Sequence, residues 1–317
     1  MSDVTITIVG AGAVGTSLGL ALKTLEDPPR LIAHDKKSEH ARQAMKLNAF
    51  DKSEWNLINA CDRADLIILA LPAAEIRPTL EAIAADLKPD AIISDTAQIK
   101  APLDQIARTI LPEHAHFVGG NPIVSTPGSG PQHANAGLFK NALYCLTPAP
   151  NVAPEAVKLL EDMVRLIGAT PFYLDPLEHD GLMSAVNDLP TLLSLALVNS
   201  VGESASWPEM RKLAGGLFSR VSAGAAGDPD SLAEILLNNK TNLLRQLDNS
   251  AEALRTLRDL IQTGQTETLA QYIDRAVVTR ANWQNEFEAN TLSSLVPKQQ
   301  PVQKPNVFKQ LFGLGRK

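Results

Sequence analysis

The stretch that most constrains this chain is its first thirty-five residues. Val4-Thr5-Ile6-Thr7-Ile8-Val9 is apolar and β-branched and reads as a buried strand, and Gly10-Ala11-Gly12-Ala13-Val14-Gly15 follows at G-x-G-x-x-G spacing and opens a helical pattern. Each glycine answers a separate demand: Gly10 permits the turn, Gly12 lets backbone approach a pyrophosphate, and Gly15 lets the helix pack against the strand. The helix N-terminus adds unpaired N–H groups and partial positive charge, so Gly10, Ala11, Gly12, Ala13, Val14 and Gly15 form the expected phosphate cradle. A second strand, Arg30-Leu31-Ile32-Ala33-His34, ends at Asp35, 20 positions after Gly15 (35 − 15). A carboxylate there accepts hydrogen bonds from ribose hydroxyls and repels a 2′-phosphate, which favours NAD over NADP. Lys36 and Lys37 leave NADP open, because two cations could neutralise that phosphate.

Strand and helix then alternate. Ala64 to Pro72 is a strand stopped by proline, followed by a helix from Glu75 to Leu87; Ala91 to Asp95 is a strand, with its helix from Ile99 to Ile110; His116 to Val118 is a short strand running into Gly119-Gly120. Ser38 to Leu47 reads as a helix and Asn48 to Asn59 as an irregular connection. No hairpin signal interrupts the series, so the expectation is an α/β fold, a doubly wound parallel sheet with helices on both faces. Ligands of such sheets bind beyond the carboxyl ends of the strands, which puts Leu71, Pro72, Thr96, Gln98 and Asn121 on the same rim as the glycines. Ser125 to Gly137, rich in Gly, Pro and Ser, reads as a loop over that rim. A strand from Asn141 to Leu146, a helix from Ala153 to Ile167 and a strand from Thr170 to Tyr173 complete this part.

Beyond Asp175 the β signals vanish. Leu177 to Val201, Trp207 to Val221, Ser231 to Gln262 and Glu267 to Glu288 have helical period, so a second, all-α domain is expected. The expected division is a dinucleotide-binding domain over 1–172, a helical substrate and dimerisation domain over 173–290, and a disordered tail over 291–317.

A chain of 317 residues exceeds the usual single-domain size, in keeping with that division. A formal charge of −6, with 44% apolar and 20% charged residues, argues against general affinity for nucleic acid or anionic membrane. Cys61 and Cys145 sit in or beside apolar segments without metal-type spacing, which suits two core thiols in a reducing cytosol. Met1 stands three residues before the first strand, leaving no room for a signal sequence, and no apolar run approaches a membrane span; a cytoplasmic enzyme is expected.

The rim motifs give a more specific indication. The glycine loop, Leu69-Ala70-Leu71-Pro72, Asp95-Thr96-Ala97-Gln98-Ile99-Lys100 and Phe117-Val118-Gly119-Gly120-Asn121-Pro122-Ile123, together with Ser129-Gly130-Pro131, Leu138-Phe139-Lys140-Asn141-Ala142, His179-Asp180, Leu189-Pro190 and Phe218-Ser219-Arg220-Val221, resemble the prephenate and arogenate dehydrogenase family of tyrosine biosynthesis. The resemblance spans nearly all of residues 4 to 260. It implies a dinucleotide-binding domain, an all-helical domain through which subunits pair as a homodimer, and a site between the two. It also implies a carboxylate substrate that loses hydride to the nicotinamide and carbon dioxide as its ring becomes aromatic.

That chemistry asks for a hydrogen-bond acceptor or base at the ring hydroxyl, a cation for a carboxylate, and a correctly held nicotinamide. By the resemblance, Arg220 grips the carboxylate, a task suited to a guanidinium fork. The family's histidine before the rim proline is here Asn121, and its serine in the preceding turn is Gln98. Its histidines flanking the Leu-Pro pair are Asp188 and Thr191. Three explanations stand. The base has moved, with Asp188 leading and His133 and His179 behind it; or Asn121 and Gln98 orient another hydroxy acid or imine, the Pro122-Ile123-Val124-Ser125 run resembling β-hydroxyacid dehydrogenases although their catalytic lysine segment has no match; or the protein binds cofactor without turnover, as a sensor or scaffold. The candidate catalytic residues are therefore Asn121, Asp188, Gln98 and Arg220.

Overall fold

A computed structural model describes residues 4–227 and 229–289. The expected tail over 291–317 lies outside the described residues. The chain forms two compact units, the first running through the sheet to His179 and the second comprising Asp180–Asn285.

The first unit alternates as its sequence suggests. β1 (Thr5–Val9), α1 (Ala13–Lys23), β2 (Arg30–His34), α2 (Ser38–Lys46), β3 (Lys52–Ser53), α3 (Leu57–Cys61), β4 (Leu66–Leu69), α4 (Ala73–Ile83), β5 (Ile92–Asp95), α5 (Ala101–Ile110), β6 (His116–Pro122), β7 (Leu143–Pro148), α6 (Pro154–Leu166) and β8 (Thr170–Tyr173) build one eight-stranded sheet in the order β3-β2-β1-β4-β5-β6-β7-β8. The strand order reverses between β1 and β4, the switch point at which such sheets hold ligands. Side chains alternate across the sheet: Ile6, Ile8, Leu66 and Ile68 join a core under α1 and α6, while Val9, Ile67, Leu69 and Ile93 join the opposite core under α4 and α5. Both faces are covered, which is why these strands read as unbroken apolar runs.

Two sequence expectations need correction here. The sheet is mostly, not wholly, parallel: β7 runs antiparallel to β6, pairing Asn121 with Cys145 and Gly119 with Thr147. Returning parallel requires a crossover that covers a sheet face, usually a helix. The connection over 123–142 has only a single 3₁₀ turn, Pro131–His133, so the chain comes straight back. The span from Asn48 to Asn59 is not irregular throughout, since it contains β3 and the start of α3, whose first turn is capped by the Asn56 side chain accepting from the Asn59 N–H at 3.0 Å.

The second part is helical. α7 (Pro176–Met183), a π-helical turn (Ser184–Asp188) and α8 (Leu189–Gly202) follow one another without a gap, and then come α9 (Trp207–Leu213), α10 (Gly216–Val221), α11 (Pro229–Asn238), α12 (Lys240–Thr263) and α13 (Thr266–Glu288). Two expected helices are each split, at Gly215 and at Asn239. Gly264, left-handed at φ 65°, ends α12, a conformation that costs any side chain but glycine or asparagine. Pro190 lacks the N–H that a regular helix would use, and the wider π turn just before it carries the chain through without a break.

The helix Pro176–Gly202 also corrects the expectation about apolar runs. At 27 residues it is long and apolar enough by composition to span a bilayer, because Asp188 is the sole charged side chain between Gly181 and Gly202. Along it Leu177, Leu182, Val186 and Leu193 are exposed.

Candidate active site

The glycine loop has the geometry of a dinucleotide cradle. Gly10 is held at φ +100°, and a Cβ there would strike the Ala70 carbonyl; a Cβ on Gly15 would strike the Gly10 carbonyl. These clashes are backbone on backbone, so both positions demand glycine. Gly12 caps α1 and, having no side chain, leaves the first turn without a side-chain cap. The Ala13 N–H is met at 2.9 Å by the carbonyl of Ser129, and the Asn135 N–H by the Ser17 hydroxyl at 2.9 Å, so the 123–142 connection lies over the start of α1. Val14 is half-buried beside it.

Asp35 follows the end of β2 and accepts from the Ala11 N–H at 2.8 Å and the Lys37 N–H at 2.7 Å, while His40 Nδ1 lies 3.5 Å away. The carboxylate is thus fixed against the glycine turn. Lys36 pairs with Glu75 of α4. On the neighbouring strand, Leu71 sits against Gly10 and Pro72 caps α4. Thr96 donates its N–H to the Leu69 carbonyl at 3.2 Å, tying the turn after β5 to the end of β4. All the sequence-derived cofactor residues therefore share one rim.

Below the next part of the rim lies a buried ion pair. Lys100, 1% exposed, bonds the fully buried Asp95 and donates to the Gly120 carbonyl at 2.6 Å. Asp95 Oδ1 also accepts from the Ala97 N–H at 2.7 Å. Burial pushes the Asp95 carboxyl above its ordinary range against the pull of Lys100 and these hydrogen bonds. Among the described residues Asp95 Oδ2 and Thr147 Oγ1 have no hydrogen-bond partner, and both approach the place where a Gly119 side chain would stand. The clamp fixes the turn bearing Thr96 and Gln98 against the peptide that precedes Asn121. Sequence reasoning gave Lys100 no role; a lysine followed by apolar helix and five residues after a strand-end aspartate was the available signal.

Asn121, 2% exposed, stands three residues past the last β5–β6 pair and donates from Nδ2 to Nε2 of the fully buried His179 at 3.0 Å. Gln98 is exposed on the adjacent turn. His133 lies on the connection beside Gly128. Both thiols are inert by burial, Cys61 being pushed up to about 12 and Cys145 to about 11.

Asp188 and Arg220 lie in the second unit. Asp188 is buried at the end of the π turn, where Oδ1 accepts from Asn187 Nδ2 at 3.0 Å and Oδ2 from Asn239 Nδ2 at 3.3 Å. Asn239 also donates to the Asp180 carbonyl at 2.9 Å, so Asp188 fastens the start of α12 to the long helix. Arg220 is exposed on α10 and makes no ion pair among the described residues. Ser194 of α8 donates to the Val221 carbonyl at 2.7 Å and Gly224 packs on Thr191, which brings the end of α10 onto the turns that follow Asp188.

Residues 18–173 match the family model described as "Prephenate dehydrogenase, nucleotide-binding domain", and residues 175–275 match "Prephenate dehydrogenase, dimerization domain". The chain is 29% identical over 274 residues to the prephenate dehydrogenase of Bacillus subtilis, covering 86% of this chain and 74% of that one. It is 27% identical over 277 residues to the cyclohexadienyl dehydrogenase of Zymomonas mobilis, covering 87% and 94%. Among solved structures, prephenate dehydrogenase from A. aeolicus in complex with hydroxyphenyl propionate and NAD+ superposes with TM-score 0.82 at 26% identity, covering 89% of this chain and 99% of that one. Synechocystis arogenate dehydrogenase does so with TM-score 0.76 at 26% identity, covering 88% and 99%.

Proposed function

Given that the chain belongs to the prephenate dehydrogenase family and is a dehydrogenase of that type, we propose that it converts prephenate by oxidative decarboxylation with NAD, as a cytoplasmic enzyme of tyrosine biosynthesis. The observation that carries this reading is the match of both family halves, in order, along a chain whose glycine turn and Asp35 are built as a dinucleotide cradle. The nucleotide-binding part is taken to end near residue 172, with the helical part over 173–290 supplying the substrate's cationic grip and the subunit contact.

The chain's own residues divide the work. Gly10 to Gly15 receive the pyrophosphate, Asp35 the ribose, and Leu71, Pro72 and Thr96 border the path to the nicotinamide. Lys36, engaged by Glu75, is drawn away from a 2′-phosphate, which supports NAD over NADP. Arg220 pairs with a substrate carboxylate and Gln98 orients the acid. A nicotinamide bound there would supply the acceptor for the hydride of the ring carbon that bears the hydroxyl. The electron pair that replaces it comes from the bond to the ring carboxylate, which leaves as carbon dioxide, and the hydroxyl hydrogen stays on the phenol. Charge therefore balances without net proton release, and the site needs an acceptor to polarise the hydroxyl rather than a strong base. Asn121 Oδ1 meets that need. Asp188, fastened by two amides, serves in this reading as a clamp on α12.

A dimerisation domain is present. The homodimer is proposed to form through the exposed Leu182, Val186 and Leu193 of the long helix and the exposed stripe Leu247, Leu254 and Ile261 on α12, three residues at heptad spacing. The test of function is direct: with NAD and prephenate, purified protein produces reduced nicotinamide catalytically. Tight NAD binding without turnover of prephenate or arogenate refutes the enzymatic reading.

A further inference from the structure

We propose that His179 is a positioning residue that sets Asn121 as the acceptor for a substrate's phenolic or ring hydroxyl. The proposal rests on the reading of the rim as a site for hydroxyphenyl-type acids. Asn121 carries one donor end and one acceptor end on a rigid plane. Its Nδ2 faces His179 Nε2 at 3.0 Å, and since an amide nitrogen has no lone pair to offer, the ring nitrogen is the acceptor in this arrangement. Spending the donor end on His179 fixes which end of the amide is left.

Oδ1 is that end. It makes no hydrogen bond to a described residue, and Asn121 as a whole is 2% exposed. Oδ1 is therefore an acceptor with no hydrogen bond among the described residues, on the carboxyl rim that also bears Thr96 and Gln98. Three constraints hold it there. Asn121 pairs with Cys145 in the β6–β7 ladder, Lys100 grips the preceding carbonyl, and His179 is fixed on α7, its N–H donating to the Asp175 carbonyl at 2.9 Å. A rotated amide would aim its NH₂ at the substrate, and its oxygen would keep a bond to His179 only with the ring proton on Nε2. His179 thus enforces the polarity on which selection of a hydroxyl depends.

The test reads binding and turnover separately. In the presence of NAD, the affinities of para-hydroxyphenylpropionate and phenylpropionate, which differ by one hydroxyl, are measured by titration calorimetry on the whole protein. The native chain favours the hydroxyl compound by about 3–10-fold, the worth of one neutral hydrogen bond. Asn121→Leu and His179→Phe abolish the preference, while His179→Gln, whose amide oxygen accepts from Asn121 Nδ2, retains it; unchanged NAD affinity in each variant certifies the fold. On prephenate, His179→Phe lowers kcat about 10-fold or more with KM little changed, and His179→Gln restores most of it. A native chain that binds both acids equally, or binds neither, overturns the proposal, as does a preference that survives His179→Phe. Preference without turnover leaves the proposal standing and refutes the dehydrogenase reading instead.

Discussion

Replacing Lys100 by methionine probes the clamp under the rim. The side chain is buried with Asp95, so the variant keeps the volume and removes the cation and the donor to Gly120. Asp95 then has two courses, to remain charged in a site with no counter-ion or to take up a proton. Protonation caps the cost: holding a proton at pH 7 on a carboxyl whose ordinary value is 3.8 takes 3.2 units, or about 4 kcal/mol. That agrees with the roughly 3–5 kcal/mol found when one partner of a buried pair is removed. With a urea slope of about 2 kcal/mol per M, the unfolding midpoint falls by about 2 M. The sign of the pH dependence follows. Asp95 in the folded variant titrates above its unfolded value, so the folded state holds more protons, and stability is greatest below pH 3.8 and declines as pH rises toward 7. At pH 5 the penalty is smaller by about 2.7 kcal/mol. Adding Asp95→Asn to Lys100→Met removes the stranded carboxylate and recovers most of the loss. A penalty under about 1 kcal/mol at pH 7, or one equally large at pH 5, refutes this account of the clamp.

Gly15→Ala forces backbone against backbone and lowers stability by more than about 2 kcal/mol in denaturant titration, whereas Gly12→Ala, whose Cβ would stand 2.9 Å from the Ser129 carbonyl, shifts that exposed loop at a smaller cost in stability and cuts NAD affinity at least about tenfold in calorimetry. The native chain prefers NAD to NADP, and Asp35→Ser narrows that preference by about 10-fold or more, read from the two dissociation constants. Leu254→Glu with Ile261→Glu places charges in the α12 stripe and converts a dimer into a monomer in sedimentation, while helicity by circular dichroism is retained.

What could be read from sequence depended on whether a feature was local. The glycine turn, the alternating strands and Asp35 follow from residues near one another in the chain, and in the structure the Ala11 N–H reaches Asp35 across the first two strands. The antiparallel return of β7 was not legible, because the 123–142 connection carries no short hairpin signal and strand direction is decided by the lack of a covering helix. The long helix was read through Asp188 and Pro190, but a regular continuation and a π turn have the same apolar pattern. His179 and Asn121 are 58 residues apart, and nothing local in either segment announces that they meet. The same holds for Lys100, whose charge alone argues for the surface until Asp95 and the Gly120 carbonyl are seen beside it.

The most direct measurement is steady-state formation of reduced nicotinamide by the purified protein with NAD and prephenate. Sustained turnover that Asn121→Leu reduces about 100-fold, and that Asp188→Asn reduces far less, is the predicted result. Turnover indifferent to Asn121, or its absence from a native protein that binds NAD, contradicts the assignment of the rim as the place where the substrate's hydroxyl is held and its ring oxidised.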